Sequence, residues 1–225
     1  ELIMLAALNF PDQVDELEVA QALAGDSLAF FHGGLPVPLP SEMVLFGRVM
    51  PEYRQEGPFG ELTGMYSIHS NPVCIIDSLW TRKSHVYHSI PGGVSREHVA
   101  LVSLKAAHEL EKIKARSANM VAYELPRFAA GKLCLVSVQA EFVKADLIRD
   151  LSAVPLVRLF ILVNQDVSIE CADDILWCLT HRAGDSADYC FRDEDPNEGL
   201  GKKTIIDATA DSPADIRSRR IELFA

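Results

Sequence analysis

Long apolar runs are absent from this sequence of 225 residues. The longest, Leu156 to Val163, is interrupted by Arg158 and is far shorter than the roughly 20 residues that a membrane-spanning helix needs. The N-terminal residues show neither the basic segment nor the cleavage site of a signal peptide. We therefore expect a chain that does not span a membrane.

Paired cysteines are missing as well. The five cysteines are scattered, odd in number and never spaced as Cys-x-x-Cys: Cys74, Cys134, Cys171, Cys178 and Cys190. This pattern fits neither a disulfide framework nor a zinc site. It is typical of buried free thiols in a reducing compartment, and it predicts a cytoplasmic protein.

Basic residues are few. Lys and Arg number 21 against 32 Asp and Glu, which gives a formal net charge of −11. Nucleic-acid phosphates would be repelled by such a chain, so the charge argues against a general nucleic-acid binder. A small anionic substrate needs only a local basic pocket, and the net charge does not exclude one.

Common catalytic motifs are absent too. The sequence contains no Gly-x-Gly-x-x-Gly, no P-loop and no Gly-x-Ser-x-Gly. His85 and His88 lie three residues apart in a predicted strand, so their side chains should point to opposite faces and cannot share a metal ion. These absences leave carboxylates and one arginine as the candidates for chemistry.

What is present indicates two regions joined at Pro91-Gly92-Gly93. Residues 1–92 have a β-rich pattern. Residues 93–225 alternate strands and helices, which predicts a mostly parallel α/β sheet covered by helices. The expected fold class is therefore α+β in the first region and α/β in the second.

The periodicity of apolar residues and the turn residues place the individual elements. The first region should hold a helix from Asp12 to Leu23, strands over Leu28 to Phe31 and Met43 to Val49, an interrupted segment from Pro51 to Thr63 and a hairpin within Val73 to Ile90. The second should hold helices over Arg96 to Arg116, about Phe142 to Leu151 and about Ala172 to His181, strands over Met120 to Glu124, Lys132 to Val138 and Leu156 to Val163, and a mobile acidic tail segment from Gly184 to Gly199.

The most informative stretch is the loop Glu56-Gly57-Pro58-Phe59-Gly60-Glu61. Its glycines permit backbone angles and close approaches that other residues resist, and Pro58 fixes one dihedral angle. Such a loop can aim Glu56 and Glu61 into one cavity, where a desolvated carboxyl could serve as a general acid. The alternative is an exposed loop with both acids solvated.

Two further residues are weaker candidates. Glu16 lies on the first predicted helix among other acids; carboxylates suit Mg²⁺ or Mn²⁺, but acids at the start of a helix also favour its dipole. Arg158 stands in an apolar strand. Its head group either reaches water from an edge or strand-start position or binds an anion such as phosphate.

Several motifs resemble those of the UbiD family of decarboxylases, and they occur in the family's order from residue 15 to residue 209. Glu56 to Gly64 resembles E-G-P-F-G-E-x-T-G-Y-Y, with Met65-Tyr66 in place of Tyr-Tyr. The other similar segments are Asp15 to Ala20, Pro40 to Gly47, Phe160 to Val167, Asp174 to Trp177 and Gly199 to Thr209.

The resemblance implies reversible, non-oxidative decarboxylation of an α,β-unsaturated or aromatic carboxylic acid with prenylated FMN as cofactor. It implies Glu61 as the proton donor and Glu56 as a member of its charge network. It further implies Glu16 as a ligand of a divalent metal (Mn²⁺ or Mg²⁺, with K⁺ as an additional candidate), and Arg158 near the cofactor phosphate. Residues 1–92 would be the C-terminal part of a flavin-binding, split-barrel-like domain. Residues 93–225 would form an oligomerisation domain, in a dimer or hexamer.

The family's catalytic arginine, its other metal ligands and much of its flavin site lie upstream of the helix matched by Glu16, and they have no counterpart here. Two hypotheses follow. The chain is the later part of a decarboxylase that an upstream segment or a second chain completes, or it is a non-catalytic assembly subunit or inactive fragment. The presence of both Glu56 and Glu61 favours the enzyme. Because the first residue is Glu1 and not Met, we expect a piece of a longer polypeptide.

Overall fold

The computed structural model describes residues 14–15, 18–19, 22, 29–60, 66–89, 95–192 and 203–210. The chain divides into two compact units, Glu1–Leu101 and Val102–Ala225. Most of the helix predicted from Asp12 to Leu23 lies outside the described residues. Over the described residues the fold is mixed α/β, with two two-stranded sheets and one five-stranded sheet.

In the first unit, the described strands closest to the N-terminus form a small hairpin of β1 (Ala29–His32) and β2 (Leu35–Pro38). Gly33 and Gly34 form its turn with φ angles of 57° and 82°. Two successive positive φ angles give the tight turn that matches the twist of paired strands, and glycine adopts them without strain. The predicted strand from Leu28 to Phe31 is confirmed over residues 29–31, and Leu28 lies outside the described residues.

A long hairpin dominates the first unit. β3 (Met43–Gly60) pairs antiparallel with β4 (Tyr66–Thr81), and the register shifts at three places along the pair. His32 of β1 contacts the rings of Phe46 and Trp80 at centroid distances of 4.6 and 4.4 Å. This ring cluster ties the small hairpin to the base of the long one.

Two predictions for this unit need correction. The segment from Pro51 to Thr63 is strand over residues 51–60, because bulges absorb its Gly and Pro residues while the pairing continues. The hairpin predicted within Val73 to Ile90 is wrong, since β4 pairs with β3 and residues 82–89 are not strand. His85 and His88 are therefore exposed residues beyond a strand end.

The second region has the predicted α/β architecture. Its elements are α1 (Arg96–Arg116), β5 (Met120–Glu124), β6 (Leu133–Val138), α2 (Lys144–Ser152), β7 (Leu159–Asn164), α3 (Ala172–His181), β8 (Tyr189–Arg192) and β9 (Lys203–Asp207). The sheet order is β5-β6-β7-β9-β8, with β6, β7 and β9 parallel and each edge strand antiparallel to its neighbour.

The core of this unit lies on both faces of the sheet. Along β7, Phe160 and Leu162 pack with α1 and α2, whereas Ile161 and Val163 pack with α3. Alternate residues of a strand point to opposite faces, so helices on both faces explain why β7 is apolar throughout. The predicted sheet covered by helices is confirmed.

The acidic segment from Gly184 to Gly199 is only partly as expected. Its residues 189–192 form the edge strand β8, in which Tyr189 pairs with Ile206 and Arg192 with Lys203; residues 193–199 lie outside the described ones.

None of the helices in the described part of the chain combines the length and the apolar character that a membrane-spanning segment needs.

Candidate active site

Glu56 lies near the end of β3, where the hairpin approaches its tip. It stands opposite His69 of β4, and its Oε2 accepts a hydrogen bond of 2.5 Å from the Nδ2 of Asn71. The side chains of Glu56 and Asn71 are exposed. A carboxylate that accepts an amide hydrogen bond is held in one orientation, and bonds to a charged acceptor are the stronger ones.

Gly57 makes the turn of the chain that follows Glu56. Its φ is +102°, and an ideal Cβ at this position would lie 2.7 Å from the carbonyl oxygen of Ser67. Any other residue would combine a strained backbone with a clash against backbone. The register shift between Glu56 and Phe59 therefore depends on glycine here.

The side chains next to Glu56 form a polar face on the hairpin. Arg54 pairs with Asn71, and Glu56 pairs with His69, so these four side chains share one face because strand residues alternate. His69 contacts the hydroxyl of Ser67 at 3.0 Å, and its ring lies 5.6 Å from that of Phe59. We call Arg54, Glu56, His69 and Asn71 the Glu56 face.

The arginines of this region are all ion-paired. Arg48 donates two hydrogen bonds to Asp77, at 3.1 and 3.0 Å, and these bonds raise the pKa of Arg48. Arg54 pairs with Glu52 and Arg82 with Glu42, both at 2.8 Å. A phosphate group would therefore find no unpaired guanidinium on residues 29–60 and 66–89.

Glu42 also fixes the segment that leaves β4. Its Oε2 accepts the backbone N–H of Val86 at 3.1 Å. This bond, with help from Arg82, lowers the pKa of Glu42 against a smaller opposing effect of desolvation. The Glu42 carboxylate thus anchors residues 82–86 beside the start of the hairpin.

The other predicted site residues are Glu61, Glu16 and Arg158. Glu61 and Glu16 lie outside the described residues. Arg158 lies in the second unit, directly before β7, and is exposed; its backbone N–H donates to Lys132 and its carbonyl accepts from Thr204. This is the strand-start position that the sequence offered as one alternative. Among the described residues, no three His, Cys, Asp or Glu side chains gather where a metal ion could bind.

Asn71 is a candidate site residue that sequence reasoning missed. Nothing in the local sequence Ser70-Asn71-Pro72 marks it, since its contact with Glu56 arises only because it lies diagonally across the hairpin, two residues along β4 from His69. A correct pairing of β3 with β4 would have revealed it.

Comparisons with known proteins bear on this hairpin directly. Residues 1–94 match the family model UbiD, described as the 3-octaprenyl-4-hydroxybenzoate carboxy-lyase Rift-related domain. Over 107 residues the chain is 35% identical to anhydromevalonate phosphate decarboxylase of Methanocaldococcus jannaschii. The aligned region covers 45% of this chain and 25% of that protein. The resemblance to the UbiD family is confirmed.

Solved structures give the same fold. The chain is similar to the UbiD-class enzyme HmfF of Pelotomaculum thermopropionicum in complex with FMN, with a TM-score of 0.79 and 23% identity over 99% of this chain and 54% of that one. It is also similar to 3,4-dihydroxybenzoic acid decarboxylase of Klebsiella pneumoniae, with a TM-score of 0.75 and 21% identity over 100% of this chain and 54% of that one. The chain thus spans about half the length of these structures.

Proposed function

We propose that this chain is part of a UbiD-type carboxy-lyase that decarboxylates, reversibly, an α,β-unsaturated or aromatic carboxylic acid with the help of prenylated FMN. The observation that supports this most is the loop from Glu56 to Glu61 within the segment that matches the family. The curated relative and the similar structure from Klebsiella are both named as decarboxylases.

In this proposal Glu61 is the proton donor. When bound, the prenylated flavin supplies the electron sink for loss of carbon dioxide, and the protein supplies orientation and the proton. The Glu61 carboxyl gives its proton to the substrate carbon from which carbon dioxide has left. In the carboxylation direction the Glu61 carboxylate takes that proton back from the same carbon.

Glu56 acts beside Glu61 by setting the local charge and orientation. Its carboxylate is fixed on β3 by the Asn71 amide on one side and by the bulge at Gly57 on the other. A fixed negative charge near the proton donor favours the protonated form of that donor, since a like charge disfavours ionisation.

Of the four proposed site residues, Glu56 and Arg158 are among the described residues, whereas Glu61 and Glu16 are not. Arg48, Arg54 and Arg82 are engaged with acids, and no metal-binding group of side chains lies among the described residues. In this proposal Glu16 contributes one ligand to a divalent metal (Mn²⁺ or Mg²⁺), with K⁺ as an additional ion. Arg158 lies near the cofactor phosphate, and other ligands come from an upstream segment or a second chain.

The two regions then have different tasks. Residues 1–92 supply the C-terminal part of a flavin-binding, split-barrel-like domain, and residues 93–225 supply an oligomerisation domain in a dimer or hexamer. Two similar solved structures support this assignment. One is HmfF in complex with FMN, and the other is an evolved dimeric form of HmfF in complex with prFMN. The apolar core on both sheet faces suits a rigid assembly domain.

The test is Glu61→Gln in the complete enzyme. Gln cannot donate a carboxyl proton, so turnover should fall at least about 100-fold, while the flavin spectrum and metal content stay those of the wild type. Glu141→Gln, an exposed carboxylate of the second unit, is the matched control and should keep full activity. Turnover of Glu61→Gln close to the wild-type rate would remove Glu61 from this role.

A non-catalytic assembly role is the second candidate. It is favoured by the apolar core on both faces of the five-stranded sheet, which suits an assembly domain whether or not the chain takes part in catalysis. Cofactor content of the intact complex separates the two.

A further inference from the structure

We infer that Asn71 is a positioning residue for the proposed reaction, and that its side-chain amide sets the orientation of the Glu56 carboxylate. The inference rests on the proposed function for its chemistry. The contact itself rests on the hairpin, where Asn71 Nδ2 donates to Glu56 Oε2 at 2.5 Å.

The backbone conformations at Asn71 and Glu56 restrict where the two side chains can lie. Asn71 precedes Pro72, and a residue before proline is held in an extended conformation. Glu56 precedes the bulge that Gly57 makes possible. With both backbones fixed and the pairs Arg54–Asn71 and Glu56–His69 in register, the amide reaches the carboxylate diagonally along one face.

The bond leaves half of the carboxylate available. Asn71 occupies Oε2, and no donor among the described residues bonds to Oε1. The amide NH₂ group acts only as a donor in this contact. It therefore orients the carboxylate and leaves its negative charge in place. Asn71 therefore aims Oε1 while keeping Glu56 an acceptor.

Orientation, and not stability, is the consequence. Both side chains are exposed, and an exposed hydrogen bond adds little to the free energy of unfolding. A carboxylate displaced by even about 1 Å costs much in rate. Loss of Asn71 should thus affect kcat and leave thermal stability unchanged.

A double-mutant cycle in the complete, cofactor-loaded enzyme tests this. Asn71→Ala should lower kcat about tenfold with KM within about twofold of the wild type. Asn71→Asp should lower it further, because an ionised Asp repels Glu56 and cannot donate. Gln55→Ala is the matched control, since Gln55 neighbours Glu56 but lies on the opposite face, paired with Ser70.

Glu56→Gln completes the cycle. If Asn71 acts through Glu56, the double variant Glu56→Gln/Asn71→Ala should be no slower than Glu56→Gln alone, because coupled residues are not additive. Additive losses would overturn the inference. So would full activity of Asn71→Ala in an enzyme that Glu56→Gln disables. Full activity of Glu56→Gln itself would instead contradict the proposed role of Glu56.

A measurement without turnover tests the contact directly. In the full chain labelled with ¹⁵N-asparagine, one Nδ2 proton of Asn71 should resonate downfield, as expected for donation to a carboxylate. Glu56→Gln should move it upfield, and Gln55→Ala should leave it in place. A resonance that does not respond to Glu56→Gln would show that the bond is absent and overturn the inference.

Discussion

A single buried cation stabilises the end of a helix in the second unit. In the second unit, Lys203 is a charged residue only 4% exposed. Its Nζ donates to the carbonyls of Ser152 and Val154, at 2.9 and 2.5 Å, where α2 ends. A cation at the C-terminal end of a helix stabilises the unpaired carbonyls there.

Replacing this cation should therefore destabilise the unit. Lys203→Met keeps the buried stem but leaves the carbonyls without donors, and we expect a loss of about 2 kcal/mol in the free energy of unfolding. Urea-induced unfolding of the full chain measures it. Lys112→Met, on the exposed side of α1, should change stability by less than about 0.5 kcal/mol. Equal small effects for both variants would contradict the assignment.

At the residue scale, the sequence alone indicated some candidate site residues and not others. Glu56 could be predicted because its Gly/Pro-containing loop is unusual and its motif resembles a known one. Asn71 could not, because a cross-strand neighbour is defined by the register of β3 with β4 and by nothing in its own segment. The role of Arg158 near the cofactor phosphate stays a prediction, and its position before β7 is one of the two alternatives that the sequence allowed.

Among the elements, the long hairpin has the most demanding backbone. Gly57 is its critical position, because its φ of +102° and the 2.7 Å approach to Ser67 exclude a Cβ. Gly184 offers a contrast, since a Cβ there would meet no atom within 4 Å.

The two glycines should therefore respond differently to alanine. Gly57→Ala should destabilise the pairing of β3 with β4 by at least about 1 kcal/mol, which speeds amide hydrogen exchange over residues 53–60 and 66–72. Gly184→Ala should leave exchange in the hairpin unchanged. Unaltered protection of the hairpin in Gly57→Ala would show that the bulge does not depend on glycine.

Elements with a strong period were predictable. The helices α1 and α3 begin and end where the apolar spacing placed them, at Arg96–Arg116 and Ala172–His181. β3 was cut short in the prediction because glycine and proline usually end strands, whereas here bulges absorb them. β8 was missed because an exposed edge strand in an acidic segment has little apolar alternation.

For the molecule as a whole, the order of motifs along the chain indicated the family before any strand pairing was known. The sheet order β5-β6-β7-β9-β8 could not be read from the sequence, since it depends on which strands meet after the crossovers. The family match over residues 1–94 and the similar folds of solved structures agree with that order of motifs, and the chain spans about half the length of those structures.

The central claim is that this chain works inside a prenylated-FMN-dependent carboxy-lyase. Native mass spectrometry of the protein isolated from its source tests it most directly. We predict an assembly whose mass includes further polypeptide, prenylated FMN and a divalent metal. A homo-oligomer of this chain alone, without flavin, would contradict the claim and favour the assembly subunit or inactive fragment.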